Sequence, residues 1–138
     1  MKICIVISNY YPKISNDLFI GATSLLKKKG INKFKKISVS GVFEIPVIIS
    51  KNIESFDAFI ALGCVIKGKT PHFEFISRAT INSIMQLSVE HKKPIGNGII
   101  TCLNKNQAVE RSNPSKNDKG GEAAEAILSV LGITNDGE

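Results

Sequence analysis

Cysteine is scarce and poorly placed for a framework: Cys4, Cys64 and Cys102 are odd in number, far apart and without CxxC spacing. That argues against a disulfide scaffold and against a thiolate metal site, and the apolar context of each is that of a buried thiol. No apolar run is long or clean enough to cross a bilayer. The short apolar start, Ile3 to Ile7, is followed by no small-residue cleavage site, so it reads as a first strand rather than a secretory leader. We therefore expect a cytoplasmic protein with no membrane attachment. Acidic residues are in the minority, 12 against 18 Lys and Arg, for a formal charge of +6. The excess does not point to nucleic acid. Lysines gather at element ends, as in Lys27-Lys28-Lys29 before Gly30 and Lys92-Lys93 before Pro94, where they complement helix dipoles, and no basic motif interleaved with aromatics accompanies them. A small anionic substrate accounts for the charge equally well. There is neither an internal repeat nor a linker, so residues 1–138 are expected to form one domain.

Strand-like segments at Lys2 to Ser8, Lys35 to Ser40, Phe56 to Ile66 and Pro94 to Cys102 alternate with helix-like ones, the rhythm of βαβ units. The expected fold class is α/β: a three-layer α/β/α sandwich around a four-stranded parallel sheet, doubly wound in the flavodoxin-like manner. The first helix carries Leu18, Phe19, Ala22, Leu25 and Leu26 at helical spacing, with Ser15 or Asn16 as its cap and Gly30 as its stop. A second helix begins near Phe43-Glu44-Ile45-Pro46, where proline is tolerated in the first turn. The third, His72 to His91, presents Phe75, Ile76, Ala79, Ile84 and Leu87. The last presents Ala123, Ala124, Ala126, Ile127, Val130 and Leu131 after a turn at Asn117 to Gly121. The polar stretch from Ser112 to Lys119 reads as a mobile surface loop.

Chemistry concentrates where strands end, because ligands of parallel α/β sheets bind outside the carboxyl ends of the strands. The third strand ends in Gly63-Cys64-Val65-Ile66-Lys67-Gly68-Lys69-Thr70-Pro71-His72-Phe73-Glu74, a basic, glycine-bearing turn that delivers a histidine to a helix start. Free amides, Lys69 and Thr70 can hold a small anion there, and His72 can move protons near pH 7. Each residue also has a plain reading. His72 as a cap, Lys69 and Thr70 as a solvated turn, Tyr10 and Tyr11 as cover for the sheet edge, and Glu44 as a dipole-stabilising carboxylate are all open. The functional counterparts are a proton carrier, an anion site, an aromatic platform for a flat heterocycle and an acceptor for ligand hydroxyls. Arg111 suits either a helix-surface ion pair or a phosphate.

Four ordered blocks then resemble the lumazine synthase family: Ser40-Gly41-Val42-Phe43-Glu44-Ile45-Pro46, Ala61 to Phe73, Gln107-Ala108-Val109-Glu110-Arg111, and Lys119-Gly120-Gly121-Glu122-Ala123-Ala124. The resemblance spans nearly the whole chain. It implies condensation of 5-amino-6-(D-ribitylamino)uracil with 3,4-dihydroxy-2-butanone 4-phosphate to 6,7-dimethyl-8-ribityllumazine, with neither metal nor redox cofactor. It further implies that Tyr10 stacks on the pyrimidine, that Val42, Phe43 and Glu44 line the ribityl pocket, and that Cys64, Val65 and Ile66 offer backbone contacts to the ring. Lys69, Thr70, Arg111 and Lys119 would hold the phosphate, and His72 would transfer protons. Asn97 stands where an aromatic is common, Lys67 replaces a common arginine, and Tyr11-Pro12-Lys13 departs from the usual polar run. Asn97 lies near the start of its strand, far from His72, so a neighbouring copy must supply it. The resemblance accordingly implies a homo-oligomer, a pentamer or a multiple of pentamers. The chain begins directly at its first strand, which favours the single pentamer.

Overall fold

The computed structural model describes residues 1–133. Four strands, β1 (Ile3–Ser8), β2 (Lys35–Val39), β3 (Ala58–Ile66) and β4 (Ile95–Cys102), form one parallel sheet in the order β2-β1-β3-β4. Helices α1 (Pro12–Lys28), α2 (Ile45–Asn52), α3 (His72–His91), α4 (Lys105–Ser112) and α5 (Lys119–Leu131) connect or follow them, with a 3-10 turn at Val42–Glu44 before α2. This is the three-layer, doubly wound arrangement expected. β1 and β3 are buried along nearly all their length, as central parallel strands covered on both faces must be. Ile3, Ile5 and Ile7 point into a core shared with Leu18, Leu26, Ile127 and Leu128 of α1 and α5. Cys4 and Val6 point the other way, into a core with Ile45, Ile49 and Ile84 of α2 and α3.

Helix α1 begins earlier than its polar residues suggest. Tyr11 is the N-cap and Pro12 opens the helix; proline favours that position because its missing N–H would have no helical partner. Ser15, expected as a cap with Asn16, instead lies within the helix, and its hydroxyl donates to the Ser8 carbonyl at the end of β1. Gly30 ends the run at φ +82°, as expected. At the other terminus, Gly120 and Gly121 belong to the first turn of α5 and not to the preceding turn. A Cβ on Gly120 would collide with the Leu18 carbonyl, so close helix contact overrides the weak helix propensity of glycine. Asp118, at φ +46°, caps α5 by accepting from the Gly121 N–H at 3.1 Å. The stretch from Ser112 to Lys119, read as a loose loop, is a turn closed by backbone bonds such as Asp118 N–H to Asn113 O at 3.1 Å, with Ser112 fully buried.

Helix α3 differs from expectation. Ile84 is buried and Ile76 and Leu87 pack against the second core, but Phe75 is 67% exposed and Ala79 is also exposed. These two flank the stripe running through Ile76, Thr80, Ile84 and Leu87, and none of the described residues covers them. Met85 and Val89 are exposed as well, so Thr80 and Ile84 are the only fully buried residues of the helix. Ala126 and Val130 of α5 likewise face outward.

Candidate functional site

In the strand order β2-β1-β3-β4 the direction of winding reverses between β1 and β3, and a crevice opens there at the carboxyl ends. A recess of about 410 Å³ occupies this position. β1 delivers Tyr10 and Tyr11 to it, the turn after β2 delivers Gly41, Val42 and Phe43, the end of β3 delivers Val65 and Ile66, and α3 delivers His72 and Ile76. Gly63 makes this convergence sterically feasible. A Cβ there would lie 2.6 Å from Val42 Cγ1 and 3.2 Å from Ser8 Cβ, so its absence lets the 3-10 turn settle against β3.

The recess is apolar at its floor and aromatic at its mouth. Tyr10 is 70% exposed, and its ring meets that of Tyr11 edge to face, centroids 5.0 Å apart at 80°. Burial, then the neighbouring Tyr10 and Cys64, hold the Tyr11 hydroxyl protonated above its usual range. His72 is exposed at the first position of α3, and its backbone N–H reaches the Thr70 hydroxyl at 3.4 Å. Glu44 stands beside the recess rather than in its lining, with the Ser40 hydroxyl 3.3 Å from its carboxylate. Lys69 and Thr70 lie exposed in the loop leading to His72. Cys64 is buried behind the floor. Its burial, followed by the adjacent Cys102 thiol, pushes it up to about 12, against the pull of Arg111, so it is no nucleophile at neutral pH.

Asn97, Arg111 and Lys119 do not line this recess. They share a second one of about 520 Å³ along the edge strand β4, with Thr101, Glu122 and Ile81 among its other walls. Asn97 pairs in register with Ala61, five residues before the end of β3 and so about 17 Å short of it along the strand. The Arg111 guanidinium donates to the Thr101 carbonyl at 2.9 Å and approaches Cys102 Sγ at 3.7 Å, which fixes it at the carboxyl end of β4. Lys119 pairs with Glu122 at 3.2 Å. α5 reaches this edge because Gly96 has no Cβ to strike the Ala123 carbonyl. The residues read from the sequence thus separate into two groups on one subunit. Tyr11 was read from the sequence, with Tyr10, as sheet-edge cover or aromatic platform, and it lines the first recess. Gly41 and Ile76 in the first recess and Thr101 and Glu122 in the second were not assigned from the sequence. Gly41 adjoins residues that were, and the others carry no signal beyond their neighbourhood in the fold.

A recess at the winding reversal, fitted with an aromatic platform and a histidine, calls for comparison with known proteins. A family model described as 6,7-dimethyl-8-ribityllumazine synthase matches residues 1–135. Among curated relatives, the protein of that name from Bartonella tribocorum is 41% identical over 134 residues, covering 95% of this chain and 88% of its own. The 6,7-dimethyl-8-ribityllumazine synthase 1 of Rhodopseudomonas palustris is 40% identical, with coverage of 96% and 85%. The enzyme from Novosphingobium aromaticivorans is 38% identical, with coverage of 96% and 95%. The family model takes in the whole sheet and both recesses, and the chain belongs to the 6,7-dimethyl-8-ribityllumazine synthase family.

Proposed function

We infer that this chain condenses 5-amino-6-(D-ribitylamino)uracil with 3,4-dihydroxy-2-butanone 4-phosphate to 6,7-dimethyl-8-ribityllumazine, releasing phosphate and water, the penultimate step of riboflavin biosynthesis. Family membership over essentially the whole chain supports the reaction, and the two recesses support the division of labour. Tyr10 stacks on the pyrimidine, while Val42, Phe43 and Glu44 receive the ribityl chain. Val65, Ile66 and the backbone of Cys64 form the floor beneath the ring. Lys69 and Thr70 take the phosphate from one side. Arg111 and Lys119 take it from the other, supplied by the second recess of an adjacent copy, whose Asn97 meets the pyrimidine in place of the aromatic common there. The single observation that carries this reading is the separation of Arg111 from His72 into different recesses of one subunit.

Chemically, the uracil amine adds to the ketone and water leaves to give an imine. Phosphate is then eliminated, and the ribitylamino nitrogen closes the ring with loss of a second water. Every step transfers a proton, and His72 is the carrier at the mouth of the recess. Holding both substrates in one crevice supplies much of the remaining acceleration. The phosphate partners neutralise the leaving dianion. The whole chain acts as one catalytic domain within a homo-oligomer, a pentamer or a multiple of one, in the cytoplasm. The uncovered apolar face of α3, with Phe75, Met85 and Val89, supports assembly, because such residues cluster at subunit interfaces. No helix of the described residues is long and apolar enough to cross a membrane.

The test mixes purified protein with both substrates and follows the lumazine chromophore against the slow uncatalysed reaction. Acceleration that falls in the His72→Ala variant is expected. A background rate combined with tight pyrimidine binding would make the chain a binding or shell protein instead.

A further inference from the structure

We propose that Tyr11 is a positioning residue that holds the Tyr10 ring upright as the platform for the pyrimidine. The inference rests on the reading of the first recess given above and adds a residue to it. Tyr10, at 70% exposure, has little packing of its own to fix its side chain. Its one aromatic neighbour is Tyr11, at 5.0 Å and 80°, the edge-to-face geometry that the ring quadrupoles favour. Tyr11 itself is anchored. Its side chain packs against the core on the α1 face, and Pro12 restricts its backbone to an extended conformation, observed at φ −116° and ψ 88°. Its carbonyl accepts from the Ser15 N–H at 2.9 Å, and the Ser15 hydroxyl ties back to the Ser8 carbonyl. The Asn9 N–H is bonded to the Val39 carbonyl at 3.0 Å, and the Tyr10 N–H reaches Ser8 Oγ at 3.4 Å. The turn from Ser8 to Ser15 is therefore held at both ends. Rigidity passes from the backbone to Tyr11, and from the Tyr11 ring edge to Tyr10.

A double-mutant cycle on the assembled enzyme tests this. Tyr11→Leu keeps an apolar contact with the core but removes the ring edge. It is expected to raise the KM for the ribitylaminouracil about two- to tenfold, the range an aromatic pair spans, while kcat and the KM for the ketose phosphate stay constant. Tyr11→Phe, which retains the ring, restores the pyrimidine KM. In a Tyr10→Leu background, Tyr11→Leu has no further effect, because the ring it orients is gone. An additive effect in that background, equal losses for both substrates, or a Tyr11→Phe variant as impaired as Tyr11→Leu would each overturn the proposal. So would an unchanged pyrimidine KM in a Tyr11→Leu variant that retains the wild-type melting temperature. Tyr10→Leu alone separates the two levels: if it leaves the pyrimidine KM unchanged, the platform itself is refuted, whatever Tyr11 does.

Discussion

Val42 Cγ1 occupies the space that a side chain on Gly63 would require, 2.6 Å from the point where a Cβ would stand. Val42 is almost completely buried and lines the recess, and a β-branched side chain has little rotamer freedom with which to withdraw. Gly63→Ala is therefore expected to destabilise the fold by about 1–3 kcal/mol, the usual cost of overpacking, and to raise the pyrimidine KM by displacing Val42 and Phe43. Denaturant midpoints and substrate titrations of the variant check both effects together. A more stable variant with an unchanged KM would show that the turn yields freely.

His72 is exposed at the first position of α3, so truncating its side chain removes little burial. His72→Ala should lower kcat by roughly 10- to 1,000-fold with the melting temperature retained, since positioned acid–base groups contribute on this order and water substitutes in part. An unchanged kcat removes His72 from proton transfer.

Arg111→Ala should weaken the ketose phosphate far more than the pyrimidine. The stronger test mixes it with His72→Ala, unfolds the mixture and refolds it. If each site takes its recess from one copy and its arginine from the next, about a quarter of the sites in an equal, random mixture carry both groups intact, and activity returns. If both groups serve the same subunit's site, every subunit carries one defect and nothing returns.

The thiols supply a test of the core. Cys4, Cys64 and Cys102 are at most 4% exposed and should resist alkylation in the native protein until it is unfolded. Burial, opposed by Lys35, lifts Cys4 from 9.0 to about 11; burial and Cys102 lift Cys64 from 9.0 to about 12. A raised folded-state value means that the native protein holds its protons more tightly than the unfolded chain. The corresponding stability is fully present below pH 9 and is lost as pH rises toward 11 and 12. Melting temperatures across that window should fall, and less steeply in Cys4→Ala. An equal slope in the variant would assign the loss to other groups.

Met85→Glu places a charge on the uncovered face of α3, where Met85 is 62% exposed. The expected result is a smaller particle by light scattering, with unchanged secondary structure and lost turnover. Retention of size would move the interface elsewhere.

Strand positions and the limits of α3 were legible in the sequence because buried parallel strands are continuously apolar and because the turn before His72 is chemically distinctive. What escaped has particular causes. The start of α1 was read from Ser15 and Asn16, polar residues of the kind that cap helices, while Pro12 was the stronger marker of a first position. Gly120 and Gly121 read as turn residues because propensity says nothing of the Leu18 carbonyl lying against them. Phe75 and Ala79 read as core because helical spacing identifies an apolar face without identifying which molecule covers it. Within the site, the blocks around Phe43, His72 and Arg111 stood out, and the separation of Asn97 from His72 could be argued from strand direction alone. The contact between Tyr10 and Tyr11 is a matter of ring orientation, which no spacing encodes.

The placement of Arg111 on the β4 edge and of His72 across the sheet end has a consequence that is purely one of counting. Copies joined in an open row, each lending its arginine to the next, always leave one unserved histidine at one end and one idle arginine at the other. Joining the ends removes both remainders, so the number of complete sites equals the number of copies. If sites are shared in this way a lone copy has none, and dilution alone should abolish turnover without unfolding a single chain.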